Sequence, residues 1–240
     1  MTRRLTRLAT SLGASAVSAV VVITMTTTAA QAGTTFTPSG GPNLTFVGSY
    51  DRPGDAPDAG IVPGFLLTDI DIGQSFNCSS VSVAGPVVNS GASRAYHANV
   101  AQLSGQAAGC TNPFYGATTV TFLGTWGVTI TGDPANGQWP AKLTNVKAKL
   151  SAVNCDIYIE GYVVGRFDTT TQVFAPAGNP VAGGATSSAP TGLTIASTPA
   201  PPTGSMCATL DFQAGDTIAI TGTFTNVPPP GSMPLTLTSP

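Results

Sequence analysis

The sequence predicts an all-β protein with a single antiparallel β-sandwich, and a closed β-barrel is the alternative. Several segments alternate apolar and polar residues with a period of two, which is the pattern of half-buried strands. After residue 32, no segment keeps a helical period over ten or more residues. Glutamate, a good helix former, occurs only once in the chain, at position 160. These observations favour strands over helices throughout residues 33–240.

The first 32 residues predict a secretory signal peptide. Arg3, Arg4 and Arg7 give a positive start, an apolar stretch covers 14–25, and Ala-Gln-Ala at 30–32 is a typical cleavage site. The apolar stretch is too short to span a bilayer as a helix. We therefore expect a secreted mature chain, residues 33–240, without a transmembrane segment and exported by either the general or the twin-arginine route.

The clearest strand signals lie in the second half of the chain. From 120 to 130 the even positions carry apolar residues or glycine, and most odd positions nearby carry threonine. Similar alternation predicts strands at 146–151, 155–163, 217–225 and 235–238, and weaker signals lie at 65–72, 76–83, 172–174 and 193–196. Together these segments predict about eight to ten antiparallel strands.

Stretches rich in Pro, Gly and Ser predict the loops. They cover 37–43, 53–64, 176–192 and 199–205, and the chain from 33 to about 60 is expected to be an irregular N-terminal stretch. Strand signals that carry cysteines flank the longest of these stretches on both sides. We therefore expect one β domain over residues 33–240, a normal size for an all-β domain.

The four cysteines predict two disulfides, because an even count in an exported chain usually means complete pairing. Four cysteines allow three connectivities. Neighbours in sequence often pair in meandering β folds, which favours Cys78–Cys110 with Cys155–Cys207. Metal ligation by these cysteines is the less favoured alternative, because the chain has no Cys-x-x-Cys spacing and only one histidine.

The composition limits the classes of partner. Charged residues make up 8% of the chain, against about 25% in an ordinary domain. After residue 32 there are six basic and eleven acidic residues, a formal net charge of −5. No basic tract is present, so nucleic acid is not expected as a partner. The threonine-rich strand faces favour an ordinary solvated surface, and repeated hydroxyl contact with polysaccharide or with a neighbouring copy is the alternative. The partners left open are cell-wall polysaccharide or a surface protein.

Short segments around the cysteines form a distinctive layout. Phe-Asn-Cys-Ser-Ser at 76–80 and Gly-Cys-Thr-Asn-Pro at 109–113 precede a tryptophan segment, Val-Asn-Cys at 153–155 and Met-Cys-Ala at 206–208. This layout, over residues 76–240, is similar to that of small exported actinobacterial proteins rich in Thr, Ser and Gly that carry four cysteines. The resemblance implies export and a disulfide-bonded β fold. The resemblance does not identify any catalytic residues in this chain.

Two groups of residues are candidates for hydrolytic chemistry. His97, the only histidine, would have to be the base of a Ser–His–Asp triad, although no Gly-x-Ser-x-Gly motif accompanies it. Asp69 and Asp71 would share one strand face about 7 Å apart, a separation that the carboxylate pair of a glycosidase can have. The alternatives are a loop histidine and a solvated strand face.

Five aspartates are candidate oxygen ligands for Ca²⁺, the one cofactor that the sequence leaves open. Asp51, Asp55 and Asp58 lie on a Gly/Pro-rich stretch, and Asp69 and Asp71 follow later. The spacing is not that of an EF-hand. An ordinary polar loop is the alternative for the first three.

A third candidate site is a ligand-binding row on one strand face. Tyr158, Glu160 and Tyr162 alternate with apolar residues, so they are expected to point outward together. Exposed tyrosines beside a carboxylate can bind carbohydrate. Cross-strand packing of the same tyrosines is the alternative.

The leading functional hypothesis is an exported, non-catalytic protein of the cell surface or the extracellular medium, acting by binding or structural association. One alternative is a β-barrel carrier of a small apolar ligand or an envelope pore, since alternating strands serve there equally well. The other alternative is a secreted hydrolase that uses His97 or the Asp69 and Asp71 pair.

Overall fold

The computed structural model describes residues 34–51, 61–177 and 190–240. Within these ranges the chain forms sixteen strands and one five-residue helix. Every strand pairing is antiparallel. The predicted all-β, antiparallel fold is therefore confirmed.

The elements follow in chain order. They are β1 (Thr35–Ser39), β2 (Asn43–Asp51), β3 (Ile61–Pro63), β4 (Phe65–Asp69), β5 (Gln74–Pro86), β6 (Arg94–Ala95), β7 (Asn99–Asn112), β8 (Gly116–Phe122), β9 (Trp126–Ile130), β10 (Gln138–Ala152), β11 (Cys155–Asp168), β12 (Val173–Pro176), β13 (Pro190–Ile195), α1 (Ser205–Thr209), β14 (Thr217–Thr221), β15 (Thr223–Asn226) and β16 (Thr236–Thr238).

Four long strands, β5, β7, β10 and β11, organise the large sheet. Each pairs with different short strands at its two ends; β10, for example, pairs with β9 near its start and with β8 near its end. The hydrogen-bonded ladder therefore closes on itself twice. One circuit is β4-β5-β7-β8-β10-β11-β13-β14, which returns to β4, and the other is β2-β5-β7-β9-β10-β11-β12-β15, which returns to β2.

Two layers of this large sheet face each other across an apolar core. The rings of Phe46 and Phe167 lie 6.1 Å apart, and those of Phe65 and Phe122 lie 6.5 Å apart, centroid to centroid. Because hydrogen bonding continues around both edges, the sandwich is also closed. Apolar side chains of the described core line cavities beside Phe46 and beside Phe65 of about 20 Å³ each, which is room for about one water molecule in each.

The two ends of the sandwich are covered differently. At one end, called here the helix end, α1 lies against the first residues of β11, and the hydroxyl of Tyr115 donates to the Met206 carbonyl oxygen at 3.1 Å. At the other end, the small-sheet end, β1 pairs with β6 and β16. There the buried Phe36 ring lies 6.4 Å from the ring of Trp139.

Both predicted disulfides are confirmed. Cys78–Cys110 joins directly opposite residues of β5 and β7. Cys155–Cys207 joins the first residue of β11 to α1. The sequence separations of 32 and 52 residues correspond to upper values of about 3.7 and about 4.1 kcal/mol in the loop-entropy account of disulfide stabilisation.

The expected irregular stretch from 33 to about 60 is wrong in part, because it contains β1 and β2. Leu44 and Phe46 of β2 are buried and pair with Gly85 and Val83 of β5. The alternation here is only a few residues long, and the surrounding Gly and Pro residues obscured it. Residues 52–60 lie outside the described residues.

The predicted signal peptide, residues 1–32, also lies outside the described residues. Within the described ranges, no helix has the length and apolar character needed to cross a membrane.

Candidate functional site

The outward side of the β10–β11 hairpin carries an unusual concentration of charged and aromatic side chains. Alternate residues of β11 point outward, while the residues between them are buried apart from the half-buried Gly161. The outward residues are Asp156, Tyr158, Glu160, Tyr162, Val164, Arg166 and Asp168 on β11, with Gln138, Pro140, Lys142, Lys147, Lys149 and Ser151 beside them on β10. We call this surface the β10–β11 face.

Positive charge is concentrated on this face. Of the five Lys and Arg residues in the described ranges, four belong to it: Lys142, Lys147, Lys149 and Arg166. The fifth, Arg94, donates hydrogen bonds to backbone carbonyl oxygens of Val88 and Asn99. The rest of the described surface therefore depends on uncharged and acidic side chains for its polarity.

Two ion pairs bridge β10 and β11. Lys147 Nζ lies 3.7 Å from Glu160 Oε2, and Lys149 Nζ lies 2.9 Å from Asp156 Oδ2. Hydrogen bonds from Ser151 and from Lys149 hold the pKa of Asp156 below its usual value. These are the ion pairs within the described ranges, so Lys142 and Arg166 have no carboxylate partner there.

The structure brings Tyr158, Glu160 and Tyr162 together on this face, where the sequence places them. Lys142 Nζ lies 3.5 Å from the centroid of the Tyr162 ring, and Lys149 Nζ lies 5.7 Å from that of Tyr158. The Tyr162 ring also covers Gly192 of β13, because ring atoms of Tyr162 are the nearest neighbours that an added Cβ would meet. The Tyr162 ring is thus in contact with both a lysine and a glycine.

A groove of about 620 Å³ lies at the far end of the same face. Its walls come from the start of β10, the end of β11 and the segment through β12. The residues that line it include Gln138, Val164, Arg166, Asp168, Thr171 and Val173. Sequence reasoning missed this site. The outward alternation of β11 does continue to residue 168, but the wall formed by β12 depends on a pairing that the sequence does not reveal.

The expectation that Asp69 and Asp71 share a strand face is wrong. Asp69 ends β4 and is fully buried, whereas Asp71 lies in the following turn and is exposed. Asp69 Oδ1 accepts hydrogen bonds from the backbone N–H groups of Asp71 (3.0 Å) and Ile72 (3.3 Å). Asp71 Oδ2 accepts one from the N–H of Thr217 at 2.6 Å. β4 ends at Asp69, so Asp71 is not part of the strand and the two carboxylates do not share a strand face.

The environment of Asp69 disfavours its charged form. Its Oδ2 is buried and has no hydrogen-bond partner. Burial is the main cause that raises its pKa to about 6, and the nearby carboxylates of Asp216 and Asp71 act in the same direction. The two backbone N–H donors partly oppose this shift.

His97 lies at the small-sheet end, away from these aspartates. It is exposed, has a φ of +69°, and donates its backbone N–H to the Ile130 carbonyl oxygen at 2.8 Å. Asp69, the last residue of β4, and Asp71, in the turn that follows it, lie at the helix end. The structure therefore does not bring His97 together with this pair of carboxylates.

The remaining Ca²⁺ candidates lie largely outside the described part of the chain. Asp55 and Asp58 fall in the gap 52–60, and Asp51 is described only as the last backbone position of β2. Among the described residues, no group of three or more His, Cys, Asp or Glu side chains is arranged to hold a metal ion.

In comparisons with known proteins, the chain matches no family model, no curated protein and no solved structure.

Proposed function

We propose that this chain is an exported, non-catalytic protein of the cell surface or extracellular medium that binds an extended glycan along the β10–β11 face. The observation that carries the proposal is the concentration on this face of four of the five described basic residues together with Tyr158 and Tyr162. Glycans are recognised by polar donors and acceptors beside flat apolar surfaces, and this face offers both.

The lysines that cover the tyrosine rings can be displaced at small cost. An exposed cation–π contact contributes about 0.5–1 kcal/mol, and an exposed ion pair contributes about 0–1 kcal/mol. The C–H side of a sugar ring can replace Lys142 over Tyr162 and bury apolar surface there. The released ammonium group then becomes a donor for sugar hydroxyls. Glu160, between the two tyrosines, supplies a hydrogen-bond acceptor.

Export is supported by two independent features. The first 32 residues have the pattern of a secretory signal peptide. The two disulfides suit an oxidising compartment, since stable disulfides are rare in reducing ones. Neither feature depends on the glycan hypothesis, so export and binding can be tested separately.

Co-sedimentation with insoluble glycans tests the binding proposal. The purified protein is mixed with cellulose, xylan, mannan and peptidoglycan, and the bound fraction is measured. We expect at least one of these glycans to retain the protein, and the variants Tyr158→Ser and Tyr162→Ser to lower the affinity about tenfold or more. Phe114→Ser is the matched control, because Phe114 is 66% exposed on the β7–β8 turn at the helix end.

Two results would overturn the proposal. One is that no glycan retains the protein. The other is that both tyrosine variants bind as tightly as the unmodified chain. A carrier of an apolar ligand, the main alternative, has less support, because the two apolar cavities lined by Phe46 and by Phe65 within the described core hold only about 20 Å³ each.

A further inference from the structure

The groove at the end of the β10–β11 face has the dimensions of a ligand site. Its volume of about 620 Å³ lies within the range of about 300–1,000 Å³ that is typical of small-molecule sites. It continues the line of outward residues on β11, since Val164, Arg166 and Asp168 follow Tyr162 at alternate positions. A glycan that lies on the tyrosines would therefore extend into it.

Arg166 is the cationic group of the groove. It is exposed, and no carboxylate among the described residues lies within ion-pair distance of it. Its register partner on β10 is Pro140, which offers no charge. A guanidinium group presents a planar fork of N–H donors that matches a carboxylate in two parallel hydrogen bonds.

Asp168 limits which anion can enter. Its Oδ1 already accepts the backbone N–H groups of Thr170 (2.8 Å) and Thr171 (3.0 Å). The carboxylate therefore stays in place beside Arg166 and repels a doubly charged phosphate more strongly than a singly charged carboxylate. It also offers an acceptor for sugar hydroxyls, and the opposite Gln138 amide offers both a donor and an acceptor.

We infer that this groove is a subsite for a carboxylate-bearing sugar residue, in which Arg166 binds the carboxylate and Asp168 and Gln138 bind hydroxyl groups. Val164, which is 47% exposed, and Val173 supply the apolar wall for the sugar ring. Arg166 lies four residues beyond Tyr162, a distance of about 13 Å along a strand. The inference rests on the proposed function and specifies its ligand as an acidic glycan.

Isothermal titration with two matched probes tests this inference. One probe is a galacturonic acid oligomer, and the other is the same oligomer after its carboxyl groups have been reduced to alcohols. We expect the acidic probe to bind at least tenfold more tightly than the reduced one. Arg166→Gln should remove that difference, because a neutral amide at this position has no charge with which to favour the carboxylate. Arg166→Lys keeps the charge without the planar fork of N–H donors. It should retain only part of the difference in affinity between the two probes.

The outcomes separate this inference from the proposed function. If both probes bind equally, or if Arg166→Gln binds the acidic probe as tightly as the unmodified chain, the subsite is refuted and glycan binding stands. The same holds if only neutral glycans bind. If no glycan of either kind binds, both proposals fail. Arg166 is exposed, so unchanged urea midpoints for its variants will show that they remain folded.

Discussion

Asp69 and Gln74 lie opposite each other across the β4–β5 hairpin, and each keeps a buried side-chain oxygen without a hydrogen-bond partner. Two acceptors without a donor form an unfavourable arrangement in the interior. A proton on Asp69 removes the buried charge and makes the carboxyl group a donor. Burial is the main cause that raises the pKa of Asp69 to about 6.

The stability of the protein should therefore fall as the pH rises through about 6. The folded pKa of Asp69 lies above its ordinary value of 3.8, so its stabilising contribution is complete below that value and is lost as the folded carboxyl group ionises. At 1.36 kcal/mol per pKa unit, the loss is at most about 3 kcal/mol. Urea unfolding between pH 4 and pH 8 measures it.

Asp69→Asn is the matching variant. Its amide oxygen can still accept the N–H groups of Asp71 and Ile72, and its NH₂ group adds a neutral donor near Gln74. We expect this variant to be more stable than the unmodified chain at pH 8, with a weaker dependence on pH. Parallel pH profiles for the two proteins would contradict this account of the hairpin.

Removal of the Cys155–Cys207 disulfide should loosen the helix end selectively. The helix α1 has only five residues, and its N-cap, Gly204, provides no side-chain cap. A Cys155→Ala and Cys207→Ala double variant should lose about 2–4 kcal/mol of stability. Hydrogen exchange should become fast in α1 and remain slow in β5 and β7.

The Cys78–Cys110 bond provides the comparison for that experiment. Its two strands are already held by a long antiparallel ladder, so its removal should lower global stability without producing a local region of fast exchange. Equal protection of α1 before and after loss of the Cys155–Cys207 bond would show that packing alone holds the helix.

Two glycine variants should separate an effect on binding from an effect on folding. In Gly192→Ala the three atoms nearest the new methyl group all belong to the movable Tyr162 ring, so we expect a stability loss below about 1 kcal/mol and weaker glycan binding. In Gly85→Ala the Cβ would lie 1.8 Å from the backbone oxygen of Gln102. Because this backbone cannot move without disturbing the strand pairing, we expect a loss of stability above about 2 kcal/mol. Urea unfolding and co-sedimentation measure the two effects.

Gln172 should be essential for stability, because its amide joins three separate segments. Its Oε1 accepts hydrogen bonds from Asn226 Nδ2 (2.8 Å) and Leu235 N (3.1 Å), and its Nε2 donates to the Leu235 oxygen (2.9 Å). Gln172→Leu leaves these buried groups without partners, which should cost about 2–4 kcal/mol. The exposed Gln106→Leu is the control, and equal urea midpoints for the two variants would refute this role.

The features that sequence predicts well are those set by local alternation. The row of Tyr158, Glu160 and Tyr162 is of this kind, because orientation in a regular strand depends only on the parity of the position. β7 was missed because Gln, Ala and Gly dominate its second half and have little strand preference. The sequence also did not predict the buried position of Asp69 or the groove at Arg166, because each depends on which distant segments pair with each other.

The closed ladder has a consequence for the behaviour of the chain in crowded surroundings. A protein with 8% charged residues and many Val and Thr residues has little electrostatic repulsion to keep copies apart, and unpaired strand edges would invite intermolecular pairing. Among the described strands, the only ones with a single neighbour are β3, β6 and β16, each three residues long or shorter. The strand topology itself should therefore oppose fibril formation. This resistance should persist at high salt, where electrostatic repulsion between copies of the protein is screened.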